Sequence, residues 1–495
     1  MTAAADYELT ASVADLRERV TTEVSAGARL ADLFGTAHDA GLLLTAQLAG
    51  RDGMTTLDAL VAAGQDSYPA LTPLVGAAFW YEREIHDMFG VVPEGHPRLE
   101  PLLLPANEPE LPLPGGPRAP ARIDPDPRVL PRHTVGPGLF TIPHGPVRSG
   151  VVESIEYLVE TPGEDIPHLN MRLFYKHRGI EARYAGMQPA DAVLLAERAE
   201  GIASVAHAIA FCQAVELIAG TEVPWRAALI RALHAELERL ACHLDVIVRL
   251  ADGAGLAVAT ARFGWHKERV LRLTGQLCGS RFGRGVVVPG GVAAAPQLEP
   301  SDILAAAGDL ERQISVDVRL LMGTASFLDR LRRTGPLLPA RAAEHGALGP
   351  IGRASGSVDD ARLSRPYAAY GSLGTTVSSR DDGDALARLE VRVDEIASSF
   401  HLIRQAADEL DEVASGPLLA DCHAVDGRAA SWAEAPQGEV LYDVRIAAGR
   451  ITRCRSRSAS FHNLVLMHEV FAGDILTDFP FIEASFGLSV AGAAG

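Results

Sequence analysis

Apolar positions along the chain recur mostly at helical spacing. In DALARLEVRVDEIASSFHLIRQAADEL the sequence Leu386, Leu389, Val393, Ile396, Phe400, Ile403, Ala407 and Leu410 alternates steps of three and four. Such spacing draws one continuous apolar stripe down a long helix. Pro224, whose fixed φ suits a first turn, opens a second helix striped by Leu229, Leu233, Leu237, Leu240, Leu244 and Ile247. Ser301-Asp302 is placed to cap a third that runs to Leu320, and Leu194–Leu217 reads as a fourth. Four long amphipathic helices predict a bundle-like core. Period two appears in GEVLYDVRI and RITRCRSRS around Gly449, which predicts a hairpin.

The first hundred residues mix the two periods. Leu16 to Ala40 is helical in pattern, with Leu30, Leu33, Phe34 and Ala37 on one face. LLLTAQLAG and MTTLDALVA predict short strands on either side of Arg51-Asp52-Gly53. Twelve of the 31 prolines then fall between Pro105 and Pro146. A segment so poor in amide donors packs badly and predicts an extended linker. The fold class is therefore α+β: a small α/β domain over residues 1–104, a linker over 105–135, and a mainly helical domain over 136–495 with a long-helix core and small β elements.

Composition narrows the function. Hydrophobic residues make up 47% and charged residues 22%, a globular balance. Asp plus Glu outnumber Lys plus Arg by 63 to 45, a formal charge of −18. An acidic chain lacks the clustered cations that phosphate contacts require, so no nucleic-acid partner is expected. The longest apolar run, Ile202–Gly220, is interrupted by His207, Gln213 and Glu216, so it reads as a buried helix and not a membrane span. The first ten residues show no basic-then-apolar pattern, so no signal peptide is expected. The five cysteines (Cys212, Cys242, Cys278, Cys422 and Cys454) are dispersed without a CxxC pair. That arrangement predicts no zinc or iron–sulfur site built by this chain alone.

Several strings carry a more specific signal. Trp80-Tyr81-Glu82-Arg83-Glu84-Ile85-His86-Asp87-Met88-Phe89-Gly90, followed by Gly95-His96-Pro97, resembles the signature of the connecting subunit of respiratory complex I. Glu100 stands where that family carries a basic residue. Tyr175-Lys176-His177-Arg178-Gly179-Ile180-Glu181 resembles the HRG-x-E motif of the complex I quinone-site subunit and of its relatives, the large subunits of membrane-bound [NiFe] hydrogenases. Arg281-Phe282-Gly283-Arg284-Gly285 through Gly290-Gly291 is closer to the hydrogenase branch, since the complex I branch has a histidine in place of Gly283. Val223-Pro224-Trp225-Arg226, Arg365-Pro366-Tyr367 and Ser460-Phe461-His462-Asn463 complete an ordered set. Both parts in one chain resemble the fused large subunit of formate hydrogenlyase and hydrogenase-4 type complexes, equivalent to the fused connecting and quinone-site subunits of NADH:quinone oxidoreductase.

The resemblance implies a peripheral subunit of an energy-converting complex, not catalytic alone. Its implied partners are an iron–sulfur small subunit holding a [4Fe–4S] cluster, a ferredoxin-like subunit and antiporter-like membrane subunits. Its implied place is the cytoplasmic face of the inner (plasma) membrane. Nickel and iron need soft thiolates, which the family takes from RxCGxC and DPCxxC motifs. Here those positions read Glu200, Ala203, Ser489 and Gly492. A metal-free subunit with no cofactor of its own is therefore expected. His144-Gly145 fits the family's quinone-binding histidine, while the partner tyrosine is replaced by Gly201. His144 is otherwise a turn residue in a Pro-rich segment. Glu153 lies where hydrogenases place a proton-transferring glutamate; without the resemblance it is a solvated strand charge. Arg178 and His177 are expected beside the partner's cluster, or else Arg178 simply pairs with Glu181. Two carboxylates in one poorly solvated pocket repel, and this predicts that Glu153, Glu200 and His144 form a proton-accepting group. The alternative is a non-catalytic scaffold that transmits conformational change, and an active hydrogenase is disfavoured.

Overall fold

The computed structural model describes residues 6–50, 53–104, 138–148, 153–413, 415–471 and 473–495. The expected linker over 105–135 lies outside the described residues, as do Arg51 and Asp52 of the expected turn. The architecture is α+β, with small sheets set against long helices.

The first sheet has the order β1 (Asp6–Leu9), β4 (Met54–Ala62), β3 (Gly41–Ala49) and β2 (Arg29–His38). Strand β1 pairs parallel to β4, and the other pairs are antiparallel. Helix α1 (Val13–Ser25) covers this sheet; its N-cap Ser12 accepts the amide of Asp15, and Val13, Leu16 and Val20 point inward. The helical reading of Leu16–Ala40 is thus corrected. The helix ends at Ser25, Gly27 takes a positive φ of 101°, and residues 29–38 form a strand. Seven consecutive residues of β2 are buried, since both faces are covered. Leu30 and Leu33 pack with α1, while Ala31 enters the core of the C-terminal region. A strand buried on both sides loses its alternation, and its leucines fall by chance at helical spacing.

The long helices are α4 (Trp225–Gly253), α5 (Ala257–Cys278), α6 (Pro300–Met322) and α7 (Ala385–Glu412), and they pack on one another. Two expectations change. Helix α6 starts with Pro300 in its first turn after Glu299 and has no side-chain cap, so Ser301-Asp302 does not cap it. The helix expected over 194–217 is broken into α2 (Pro189–Ala196) and α3 (Ser204–Ala219). Ala203 leaves the helical region at φ −146°, ψ 41°, and residues 197–203 form a loop whose buried Glu197 carboxylate accepts the amide of Gly285. Tertiary hydrogen bonding overrides helical propensity there. The hairpin is as expected: β9 (Gly438–Ala447) pairs with β10 (Arg450–Arg457). Ala448 and Gly449 both take positive φ at its tip, the conformation of a two-residue turn matched to strand twist. With β8 (Gly427–Ala435) this hairpin forms a three-stranded sheet against α3.

The two parts of the chain are welded together. One apolar core contains residues of the first sheet together with Ile155, Leu169, Leu337, Phe461, Ile482 and Ala494. Charges cross the same boundary. Arg455 reaches Asp32 at 2.9 Å, Glu84 at 2.6 Å and Glu181 at 3.1 Å, and Arg428 reaches Asp58 at 2.6 Å. Tyr81 hydroxyl lies 2.7 Å from His462 Nδ1.

Arg455→Met removes a cation shared by Asp32, Glu84 and Glu181 and leaves buried carboxylates undercompensated. It is expected to cost roughly 3–5 kcal/mol of unfolding free energy, read from urea-unfolding curves. Arg19→Met, at an exposed pair with Glu8 and Glu23, is expected to change stability by less than about 1 kcal/mol.

Candidate functional site

The site is built around the turn 489–492. Ser489 caps the last short helix (Val490–Ala494), accepting the amide of Gly492 at 3.1 Å. Its hydroxyl lies 3.1 Å from each carboxylate oxygen of Glu153, and Glu153 Oε2 also accepts the amide of Ala491 at 2.9 Å. Ser460 Oγ accepts the amide of Ser489 at 3.1 Å and donates to Glu200 Oε1 at 2.9 Å. Glu153 and Glu200 therefore grip one turn from two sides. The Glu200 side chain is buried, with 1% of its surface exposed. Its Oε2 lies 3.4 Å from His207 Nε2, and His207 Nδ1 lies 2.9 Å from the Tyr442 hydroxyl.

Arg178 closes the group. Gly179, at φ +62°, supplies the left-handed residue that turns the chain from the Arg into the short helix Ile180–Tyr184. The guanidinium donates to the carbonyls of Arg198 at 3.0 Å and of Ala491 at 3.0 Å, and to Ala199 O at 2.5 Å. Burial lowers its pKa, while Glu153 and Glu200 both attract its charge. An ion pair of Arg178 with Glu181 is not formed; Glu181 is held by Arg453 at 2.7 Å and by Arg455. His177 Nδ1 donates to Ala494 O at 2.6 Å, and burial lowers its pKa.

His144 lies on a separate strand. It ends the strand Phe140–His144, with its ring 5.3 Å from Phe479 and 6.3 Å from Tyr157. Partial burial and Arg148 lower its pKa against the pull of Glu483. Arg148 donates to Glu483 at 2.8 Å and to the Glu153 carbonyl at 3.4 Å.

The four positions at which the resemblance implies thiolates, Glu200, Ala203, Ser489 and Gly492, do not suit a nickel–iron centre. They offer a carboxylate, a methyl, a hydroxyl and a hydrogen, and a Cβ built on Gly492 would stand 2.4 Å from Glu200 Oε2. Glu200 thus occupies the space that a side chain at 492 would need. Among the described residues no group of three His, Cys, Asp or Glu side chains converges to hold a metal. Cys212, Cys242 and Cys454 are buried elsewhere, and burial raises each thiol's pKa.

Sequence reasoning misses His207, Tyr442, Ser460 and Glu238 as site residues. His207 is visible as a polar interruption in an apolar helix, and Ser460 lies in a family-like string that attaches no role to it. Tyr442 and Glu238 carry no local signal, because long-range packing brings them in. Glu238 accepts the amides of Val205 at 2.7 Å and Ala206 at 3.1 Å where α3 begins. Burial pushes its pKa up to about 8, assisted by the charge of Glu200 and opposed by those amides.

Two outcomes are expected. Gly492→Ala drives a methyl into Glu200 and is expected to lose about 1–3 kcal/mol, whereas Gly492→Ala combined with Glu200→Ala recovers part of that loss in a double-mutant cycle of unfolding free energies. Folding raises the pKa of Glu238, so the folded state favours its protonated form. Its contribution to stability is full below the ordinary carboxyl range and is lost as pH rises toward about 8. Glu238→Gln is expected to flatten that part of the stability–pH profile.

Comparison with known proteins gives the context. Residues 256–493 match the model of the respiratory-chain NADH dehydrogenase 49 Kd subunit, residues 29–115 that of the 30 Kd subunit, and residues 178–248 that of nickel-dependent hydrogenase. The chain is 29% identical to formate hydrogenlyase subunit 5 of Escherichia coli over 93% of its own length and 83% of that protein. It is 30% identical to hydrogenase-4 component G of Escherichia coli, over 86% and 76%. A chain of the membrane-bound sulfane sulfur reductase, an archaeal respiratory membrane complex, shares the fold with a TM-score of 0.68 at 23% identity, over 73% of this chain and all of that one. With 30-kDa-type and 49-kDa-type regions in a single chain, the protein belongs to the family of fused large subunits related to complex I and [NiFe] hydrogenases, the family of hydrogenase-4 component G.

Proposed function

We propose that this chain is the peripheral large subunit of a membrane-bound, energy-converting oxidoreductase complex, carries no nickel–iron centre, and exchanges protons through Glu153 and Glu200 as a neighbouring cluster changes charge. The observation that carries this reading is the clasp of two carboxylates on the 489–492 turn, with Arg178 attracted to both. A change of charge beside Arg178 alters the field at both carboxylates. The cluster would be a [4Fe–4S] group in an iron–sulfur small subunit, fed through a ferredoxin-like subunit, with electrons passing to quinone or another acceptor. Among the described residues no helix is long and apolar enough to cross a membrane. Attachment to the cytoplasmic face of the membrane would then run through antiporter-like partner subunits.

One observation favours a scaffold instead. Glu200 is fully buried, hydrogen-bonded to Ser460 and set beside His207, and fills the space next to Gly492, as a structural plug would.

Replacing each carboxylate by an amide separates the two readings. Glu153→Gln and Glu200→Gln complexes are expected to assemble and to lose turnover and proton translocation by about tenfold or more. Assembled complexes of undiminished turnover leave the scaffold reading in place. Metal analysis of the purified complex is expected to find iron without stoichiometric nickel.

A further inference from the structure

Glu236, Glu395, Glu434 and Glu439 each meet a buried arginine. Glu238, on the same helix α4 as Glu236, forms no ion pair among the described residues. Its neighbour Arg239 is committed to Glu236 at 3.3 Å and to the carbonyls of Glu434 and Ala435. The Glu238 carboxylate binds backbone instead: Oε1 accepts the amide of Val205 at 2.7 Å and Oε2 that of Ala206 at 3.1 Å. These are the second and third residues of helix α3, whose amides a capping side chain ordinarily takes. The residue in the capping place is the buried Ala203, at φ −146° and ψ 41°, which has no side-chain acceptor to offer. Glu238 therefore caps α3 from a neighbouring helix, and its negative charge suits the positive end of the helix dipole.

The capped end carries the imidazole of the site. His207 follows the two capped residues, and its amide makes a helical bond to Ala203 O at 3.1 Å. Its ring lies 3.4 Å from Glu200 Oε2 and 2.9 Å from the Tyr442 hydroxyl. Glu200 belongs to the loop 197–203 that leads into α3, so the way the helix starts sets the contact between imidazole and carboxylate.

The cap is open to water. Glu238 is half-buried and, with Val205, lines a cavity of about 560 Å³ between α4, α5, the loop residues Gly201 and Ile202, and residues 281–283. His234, one turn earlier on α4, lines it too and is 2% exposed. Its Nδ1 has no partner among the described residues and faces Gly283 on the cavity wall, where a Cβ would stand 3.8 Å away. A buried ring nitrogen without a protein partner takes water where a polar cavity adjoins it.

We infer that Glu238 is a positioning residue: by capping α3 from α4 it sets His207 against Glu200, and the cavity beside it lets protonation weaken that cap. This inference rests on reading Glu153 and Glu200 as a proton-exchanging pair.

The ionised carboxyl accepts both amides. The neutral carboxyl turns one oxygen into a hydroxyl, a poorer acceptor, and one of the two bonds weakens. Burial, helped by the charge of Glu200, holds the Glu238 pKa up at about 8 against the two amides and Arg239. The other groups on the cavity do not compete near that pH. Asp245 is paired with Lys267 at 2.6 Å, and Arg281 is held by Glu268. Burial pushes the Cys242 thiol up to about 12 and the His234 imidazole down to about 4, so both are neutral.

Infrared difference spectra of the intact complex, recorded on electrochemical reduction, test the cap without relying on turnover. A band lost in Glu200→Gln reports Glu200. It is expected at two positions, with and without the imidazole beside it, and only the second remains in His207→Phe. In the wild-type complex the ratio of the first position to the second is expected to rise about fivefold as pH passes upward through about 8, the effect of completing a helix cap. Glu238→Gln cannot ionise and is expected to hold the low-pH ratio throughout. Ala203→Ser supplies a hydroxyl at the capping place. Added to Glu238→Gln, it is expected to restore the high-pH ratio at every pH; alone, it is expected to remove the pH dependence, which keeps the test available if Glu238→Gln fails to assemble. A ratio with the same pH dependence in wild type and Glu238→Gln, or one that Ala203→Ser leaves unchanged, overturns the cap and leaves the paired-carboxylate reading intact. Absence of any Glu200 band overturns both.

Discussion

The structure depends on compensating arginines that have been taken out of water. A buried guanidinium left without carboxylates is costly, so each one dictates which distant elements meet. Arg353 binds Glu395 of α7 at 2.8 Å, Glu434 of β8 at 3.0 Å and Asp360 at 3.2 Å. Arg362 binds Asp360 at 2.7 Å and Glu236 of α4 at 3.0 Å. These pairs bring α4, α7 and the sheet β8–β10 together at one point. Glu439 repeats the device, receiving Arg29 at 2.9 Å, Arg365 at 2.7 Å and Arg457 at 2.8 Å. Apolar stripes alone would allow the helices to slide. Charges that must be matched atom by atom allow far fewer arrangements.

The site has the same logic at smaller scale. Glu200, Ala203, Ser489 and Gly492 bring one carboxylate and three small groups together, and the turn is held by hydrogen bonds to backbone amides. Ser489 and Ser460 pin the turn, and Glu153 and Glu200 each bond to it directly or through one hydroxyl. Gly492 is required because Glu200 uses the volume its side chain would take. The turn and the polar cluster around it are thus one structural unit.

Fusion of the two regions also acquires a physical meaning. Arg455 draws carboxylates from β2, from the helix Phe79–Phe89 and from the short helix after Arg178, and these elements wall a cavity between the two parts of the chain. The N-terminal sheet is consequently part of the surroundings of Glu181 and not an appended module.

Local spacing and residue identity are enough to specify the long helices, the hairpin at Ala448-Gly449 and, through the ordered motifs, the family. Strand β2 reads as helix along the chain, because burial on both faces erased the alternation that marks a strand. Helices α2 and α3 read as one, because the break at residues 197–203 is made by hydrogen bonds to partners far along the chain. The resemblance groups Glu153, Glu200 and His144; in the fold the two glutamates meet at one turn, directly or through Ser460, and the His144 ring packs on Phe479 and Tyr157. Only packing makes Arg178 serve carbonyls and not Glu181, and sets His207 between Glu200 and Tyr442. Those contacts join residues up to about three hundred positions apart, and no local pattern encodes a distance of that kind.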